Sequence, residues 1–526
     1  MADAAESGAG DRTGNPVNVM DAIVSLSKRR GFVYQASEIY GGLRGFWDYG
    51  PLGVLLKNNI RDWWWRCMVE CPPIGPDGHP VEIVGLDSAI IQHPRTWEAS
   101  GHVAGFNDPM VDCRETKQRY RADHVKVYWA KDGSGGVAFV DDPEAAEKKI
   151  KRELRRNPAD FDIVPLTSLP LEAYAKVIGP DTKTPGTLTE PRAFNLMLDT
   201  YPGPIRDEAN KAYLRPETAQ GIFLNYRNIL DTTRVKVPFG VAQIGKSFRN
   251  EVTPRNFIFR SREFEQMEME FFCPPDDALM WYEFWRDQRM KWWLTLGIRP
   301  EHLRFRDHGS DELAHYSKAC VDVEYLYPFT APDFGELEGI AHRGCFDLTQ
   351  HSNYSGTRLD YFDQDLQQRL KEQGASPEEI KARSRYVPNV IEPASGLTRA
   401  VLVLLCEAYR YDESRPSKEY LAFKPQFAPI KAGIFPLVQK DGMPETAEKL
   451  YLDLRKSFMV EYDPKQSIGK RYARMDEIGT PFSFTVDGET ASTGTVTVRF
   501  RDTQQQQRIG IDHVRAFLTE QLRPEA

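Results

Sequence analysis

Two stretches of alternating residues, joined by a loop carrying arginines, constrain this chain more than any other feature in it. In "REFEQMEMEFF" (262–272) every second residue gives one face of Arg262, Phe264, Gln266, Glu268, Glu270 and Phe272. The opposite face, Glu263, Glu265, Met267, Met269 and Phe271, turns apolar towards its end, as a half-buried strand does. "FGVAQIGKSFRNE" (239–251) alternates in the same way, with Gln243, Ser247, Arg249 and Glu251 against Ala242, Ile244 and Phe248. With "VTPRNFIFR" between them, the two predict an antiparallel hairpin with one apolar face and one face of arginines, glutamates and amides. A single cross-strand ion pair would be an ordinary solvated feature. The whole set, flanking an arginine-bearing loop, points to a binding site. Arg249, Arg260 and Arg262 suit a polyphosphate, because guanidinium forks match phosphate oxygens. Glu251 suits an exocyclic amine, and Glu268 an ammonium.

Length and composition set the frame. A chain of 526 residues exceeds one ordinary domain, so at least two are expected. With 41% hydrophobic residues it can bury a sizeable core, while 27% charged residues and a mean hydropathy of −0.52 mark a soluble protein. The longest apolar run, Ala400–Cys406, is too short to span a bilayer, and residues 1–16 read as a polar tail without a secretory signal. The 7 cysteines are scattered without CxxC pairs, so neither a disulfide framework nor a zinc site is expected, and a reducing cytoplasm fits. The net charge of −8 argues against nonspecific coating of nucleic acid but leaves room for local RNA contact.

Along the chain, "VLLKNNIRDWWWRCMVE" (54–70) has helical spacing, and "VEIVGLDSAII" (81–91) reads as a strand entering a loop. Residues 131–190, with a charged helix at 142–156, and residues 365–385 look like insertions. "SGLTRAVLVLLCEAYR" (395–410) reads as a helix with a serine at its start. After the proline-bearing link at 422–431, strand, helix and strand alternate to the end, suggesting a separate α/β domain.

"FRNEVTPRNFIFRSREFEQMEME" resembles motif 2 of class II aminoacyl-tRNA synthetases, and "GLTRAVLVLL" resembles their motif 3. Together with "WDYGPLG", "GLDSAIIQHPRTWEASGHVAGFNDPMVDC", "RYRAD", "LRPETAQGIF", "DLTQHS" and "KDGMPETAEKLYLDLR", the series is similar to the glycyl-tRNA synthetases of homodimeric type, over about residues 18–517. The resemblance implies an α+β fold: an antiparallel-sheet catalytic domain over 17–421 flanked by helices, then an α/β anticodon-binding domain with a mixed sheet over 422–526. It also implies a homodimer whose interface lies near Trp63–Trp65. The reaction it implies is attachment of glycine to tRNA(Gly) through glycyl-adenylate, with ATP as substrate and Mg²⁺ as cofactor.

Carried onto this sequence, the resemblance implies an ATP site of Arg249, Asn250, Glu251, Phe259, Arg260, Ser261, Arg262, Glu263, Phe264, Glu336, Leu337, Gly396, Leu397, Thr398 and Arg399. Arg249 would meet the α-phosphate, Arg399 the γ-phosphate, Glu251 and Phe264 the adenine, and Glu336 the Mg²⁺. For glycine it implies Arg119, Glu217, Phe264, Glu265, Gln266, Met267, Glu268, Glu392, Pro393, Ala394, Ser395 and Gly396. The family places its serine directly after the proline; here Ala394 stands there and Ser395 follows, so Ser395 or a backbone group takes over the contact. Lys470, Arg471 and Arg474 fall in the segment implied to read the anticodon. Adenylate formation needs alignment and charge neutralisation more than a protein base, so arginines and Mg²⁺ suffice. His351 is accordingly expected to be a hydrogen-bonding residue. Glycine offers an ammonium, a carboxylate and nothing larger, so a steric filter replaces editing. A non-catalytic relative would have lost Arg249, Glu251 and Arg399, and all are present.

Overall fold

The computed structural model describes residues 19–140, 142–309, 312–313 and 317–523. The tail expected at 1–16 lies outside them. The chain forms two compact units: the described parts of Met1–Ala89, Glu217–Ser247 and Asn256–Ala526, and a second made of Ile90–Pro216 with Phe248–Arg255.

The first unit is built on a 7-stranded sheet. Its strands in chain order are β1 (Ile83–Gly85), β2 (Phe239–Phe248), β3 (Glu263–Cys273), β4 (Leu303–Asp307), β5 (Ala319–Tyr325), β6 (Gly335–Gly344) and β7 (Asn389–Gly396). Their spatial order is β4-β5-β6-β7-β3-β2-β1. The pairs β4–β5, β5–β6, β6–β7 and β3–β7 are antiparallel, while β1 lies parallel to β2. The expected hairpin strands, β2 and β3, are neighbours in this sheet. On its apolar face Met267, Met269 and Phe271 are fully buried among α3 (Ala278–Thr295) and α5 (Leu397–Ala408), with the Phe271 ring 4.5 Å from Trp281 and 5.4 Å from Trp285.

The helix read at 54–70 is α1 (Pro51–Trp65), continued by a π-helical turn over Arg66–Glu70. Pro51 occupies its first turn, where a missing N–H costs nothing. Gly53 is required: a Cβ there would lie 1.8 Å from the Phe32 carbonyl oxygen. Of the tryptophan run, Trp64 is core, and Trp63 donates its ring N–H to the Thr295 hydroxyl at 2.9 Å. The helix expected from 395 begins only at Leu397. Ser395 and Gly396 end strand β7, because the ladder to β3 runs through both.

Within the same unit, residues 431 onward form a second core on a 5-stranded mixed sheet. Ala432–Pro436 runs parallel to both Val460–Tyr462 and Phe482–Val486, and antiparallel pairs carry the sheet on through Thr495–Phe500 to Gln506–Gly510. Helices Met443–Leu454 and Ile468–Ile478 accompany it. The expected 365–385 insertion is a helical pair, Gln364–Glu372 and Pro377–Arg383, each capped by a side chain (Asp363 and Ser376).

The second unit holds three small sheets, one of them the antiparallel ribbon Asn107–Asp112 with Arg119–Arg121. Its charged helix Pro143–Lys149 is capped by Asp142, which accepts from the Ala145 N–H at 2.8 Å, and ends in a π-helical turn.

Candidate active site

The polar face of β3 is not solvated. Gln266 is 8% exposed, Glu268 2% and Glu270 not at all. Farther along, Phe272 seals this face against Phe223, Tyr226 and Phe239, with ring centroids 6.3, 4.7 and 5.3 Å away. Burying carboxylates this deeply is costly unless donors meet them. Two receive such donors. Glu268 accepts from the Thr218 backbone N–H at 3.0 Å and from the Thr218 hydroxyl, at the start of α2 (Ala219–Thr232). Glu392, on β7, accepts from Arg343 Nη1 at 2.6 Å.

Arg343 organises the cluster. It lies on β6 with its side chain 2% exposed, and it grips Asp347, at the start of α4 (Phe346–Ser355), through Nε at 2.9 Å and Nη2 at 3.0 Å. Gln220 extends the network: its Nε2 donates to Glu217 at 3.0 Å and to Asp347 at 3.0 Å. The Gln220 carbonyl oxygen is 2.8 Å from His351 Nε2, so that nitrogen carries the proton. Burial pushes the His351 pKa down, keeping the ring neutral, which fits the hydrogen-bonding role expected of it. Burial, then the charges of Glu392 and Glu217, push the Glu268 carboxyl up to about 8. Burial also raises Glu392, against the pull of Arg343. The arrangement is a pocket of excess carboxylate around one guanidinium, which favours an incoming cation.

Arg343, Asp347, Thr218 and Gln220 were not singled out from sequence. Thr218 and Gln220 lie within "LRPETAQGIF" and Asp347 opens "DLTQHS", so the motifs held three of them without marking their roles; for Arg343 the one signal was its spacing of four residues from Asp347.

Strand pairing decides the Ala394–Ser395 question. Glu268 stands opposite Ala394 and Met267 opposite Ser395, so Ala394 shares the pocket face while Ser395 shares the core face. The Ser395 hydroxyl donates to the Met267 carbonyl oxygen at 3.3 Å. Of the two alternatives, Ser395 or a backbone group, this register disfavours Ser395, because alternation turns its side chain away from the pocket. Met267 and Leu337, both core side chains, can likewise meet a substrate only through the backbone. Glu265 and Glu263 are held by Lys57 and Lys246, and the Glu265 N–H donates to the Thr398 hydroxyl at 3.0 Å.

At the other end of this unit's site, Arg399 opens α5. It pairs with the Glu336 carboxylate at 3.0 Å and lies 4.7 Å over the Phe259 ring. Phe259 itself packs 5.0 Å from both Tyr327 and Phe329. Arg262 is anchored to the 44–45 turn, its backbone N–H on the Gly45 carbonyl at 2.7 Å and Nη1 on the Arg44 carbonyl at 3.1 Å. Glu336 remains half exposed, whereas Glu338, two residues on, is buried and held by Arg289 at 2.7 Å and by Trp293. Of these two glutamates, Glu336 is therefore the one whose carboxylate reaches solvent.

The second unit carries Arg249, Asn250 and Glu251. Arg249 donates Nε to the Pro216 carbonyl at 3.1 Å and stacks 5.5 Å over Phe106, and the Asn250 N–H bonds the Leu196 carbonyl at 2.8 Å. Arg119 pairs with Asp112 at 2.8 Å at an exposed edge. Its neighbour Arg121 lies among Asp108, Asp123 and Glu251, and the Asp123 bond is the chief cause that raises its pKa.

In the mixed-sheet domain, Arg471 is buried and donates to the carbonyls of Pro436 at 2.7 Å, Asp463 at 2.9 Å and Leu437 at 3.3 Å. It clamps the domain from inside, which corrects its expected place on an RNA-facing surface. Lys470 is exposed, and Arg474 is held by Asp463.

Residues 431–521 match the family described as an anticodon binding domain. A protein of Rhodopirellula baltica named glycine–tRNA ligase is 48% identical over 528 residues, covering 94% of this chain and 98% of that protein. Proteins of the same name from Thermobifida fusca and Mycolicibacterium paratuberculosis are 44% and 45% identical, each covering 96% of this chain and 98% of their own length. An antiparallel sheet bearing a charged pocket, followed by an anticodon binding domain, is the architecture of a class II aminoacyl-tRNA synthetase. At this identity and coverage, the chain belongs to the glycine–tRNA ligase family.

Proposed function

We infer that this protein joins glycine to tRNA, using ATP and passing through glycyl-adenylate. The observation that carries the assignment of the amino-acid site is the cluster of Glu217, Glu268 and Glu392 around Arg343, with Glu268 buried and the other two partly buried. It offers an ammonium ion carboxylate partners largely withdrawn from solvent, where charge pairing is stronger than in bulk water. We assign the ammonium to Glu268 and Glu392, with Glu217 held beside them by Gln220. Alanine at 394 gives β7 no hydroxyl on the pocket face opposite Glu268, so a backbone group takes that contact.

We assign the nucleotide to Arg249, Glu251, Arg260, Arg262, Phe264 and Arg399. The roles are Arg249 on the α-phosphate, Arg399 on the γ-phosphate, and Phe264 and Glu251 on the adenine. The Glu336 carboxylate is half exposed, a hard oxygen donor of the kind Mg²⁺ takes alongside phosphate oxygens; the ion, when bound, offsets phosphate charge. The chain's own part in the first step is to hold the glycine carboxylate in line with the α-phosphorus and to meet the charge that develops there.

The mixed-sheet domain supports anticodon contact through Lys470 and its neighbours. The cleft of about 400 Å³ formed by Arg61, Asp62, Trp65, Gly85, Leu86, Asp87 and Ile244 supports a second copy as partner near the tryptophan run. Seven free thiols support a reducing, cytoplasmic compartment, and no helix among the described residues is long and apolar enough to cross a membrane. The test is amino-acid-dependent pyrophosphate exchange: glycine should drive it, and equal exchange with alanine or serine would refute the assignment of the pocket.

A further inference from the structure

Glu270 has no place in the scheme above, yet it is the most deeply buried carboxylate in the pocket. It sits two residues beyond Glu268 on the same face of β3. The pairing of Glu268 with Ala394 and of Phe271 with Ile391 carries it opposite Glu392. Carboxylate oxygens of Glu268, Glu270 and Glu392 all lie within 4.8 Å of one another. Glu268 and Glu392 receive donors from Thr218 and Arg343. Neither oxygen of Glu270 receives one from any described residue. An ionised carboxylate with no protein donor and two other carboxylates for neighbours is a costly arrangement in a protein interior.

We propose that Glu270 is a positioning residue, held as a neutral carboxylic acid whose O–H donates to the Glu392 carboxylate. One added proton then satisfies both an orphan oxygen and an under-supplied acceptor. Glu392 is fixed between the Arg343 guanidinium on one side and the Glu270 hydroxyl on the other. The groups facing this pair are Glu268 from β3, Arg343 from β6, Asp347 from α4 and Glu217 ahead of α2, so among the described residues Arg343 is the single cation beside three other acids. Burial, followed by the Glu392 charge, pushes the Glu270 carboxyl well above its ordinary range. Substrate ammonium meets Glu392, and Glu270 keeps that carboxylate aimed without adding a charge that the ammonium would have to share. This role rests on the assignment of the pocket to glycine.

The test uses the full-length enzyme with E270Q, which keeps a neutral donor, and E270L, which keeps volume but no donor. Infrared difference spectra of wild type against E270Q, without substrate, should show the C=O stretch of a protonated carboxylic acid lost in the variant. In pyrophosphate exchange E270L should raise the glycine KM by about 10- to 100-fold, the cost of an unsatisfied buried acceptor, with the ATP KM within about twofold. E270Q should restore most of that loss. Absence of the acid band, or a glycine KM in E270Q as poor as in E270L, would overturn the proposal. If E270L does not fold, the infrared band and the E270Q glycine KM still decide it. An enzyme that prefers another amino acid while retaining the band would overturn the glycine assignment and leave the protonated Glu270 standing.

Discussion

Glu268→Gln is the sharpest perturbation of the proposed pocket, because it removes a charge while keeping shape and hydrogen bonds. The amide oxygen can still accept from the Thr218 N–H and hydroxyl, so the fold loses nothing it depends on. Glu268 is also pushed up to about 8, so in the empty pocket at pH 7 only about a tenth of it is ionised, and the neutral substitute resembles the resting state. Glycine changes this: its ammonium lowers the carboxyl pKa, the proton is released to solvent, and the carboxylate pairs with the cation. A desolvated charge-assisted pair is worth about 2–4 kcal/mol, so the variant should lose about 30- to 1,000-fold in kcat/KM for glycine. The ATP KM should barely move. A second readout tests the cause. In wild type the glycine KM should fall as pH rises from 6 to 8, by up to about tenfold per unit, because less work is spent removing the proton. In the variant that dependence should vanish. The sign in the absence of glycine is opposite for stability: a carboxyl whose folded pKa is raised stabilises at low pH and loses that contribution as pH rises towards 8. Melting of the substrate-free wild type should therefore drop over that range relative to E268Q. An unchanged glycine KM in E268Q, or a pH profile identical to wild type, would refute the reasoning.

Other consequences are equally direct. Arg343→Met strands Asp347 and Glu392 in the interior and should destabilise the enzyme by about 3–5 kcal/mol in urea unfolding, with glycine exchange abolished. Arg399→Ala removes the partner of Glu336 and should raise the ATP KM about 10- to 100-fold in pyrophosphate exchange while leaving the glycine KM within about threefold. Arg471→Ala deletes three bonds to buried carbonyls. It should weaken the mixed-sheet domain by about 2–4 kcal/mol and depress tRNA charging, while glycine-dependent pyrophosphate exchange persists.

The alternation of β3 and its apolar reverse were legible from residue order alone, because a strand's side-chain period is a property of the backbone. The same holds for the helices at 51–65 and 397–408, whose apolar stripes and turn residues are local, and for the mixed character of the last domain. Which face of a neighbouring strand a residue shares is not local. Ser395 and Ala394 are adjacent in sequence and chemically close to interchangeable there. Only the register with Met267 and Glu268 sent one into the core and the other to the pocket. Arg471 looked like a surface cation because its neighbours are Lys470 and Arg474, and tertiary packing buried it on three carbonyls instead. The sequence by itself determined that a face of β3 would be ionic. That this face is sealed from water by Phe272, faced by an arginine from β6 and left one donor short at Glu270 depends on strands distant in the chain, and so on the tertiary structure alone.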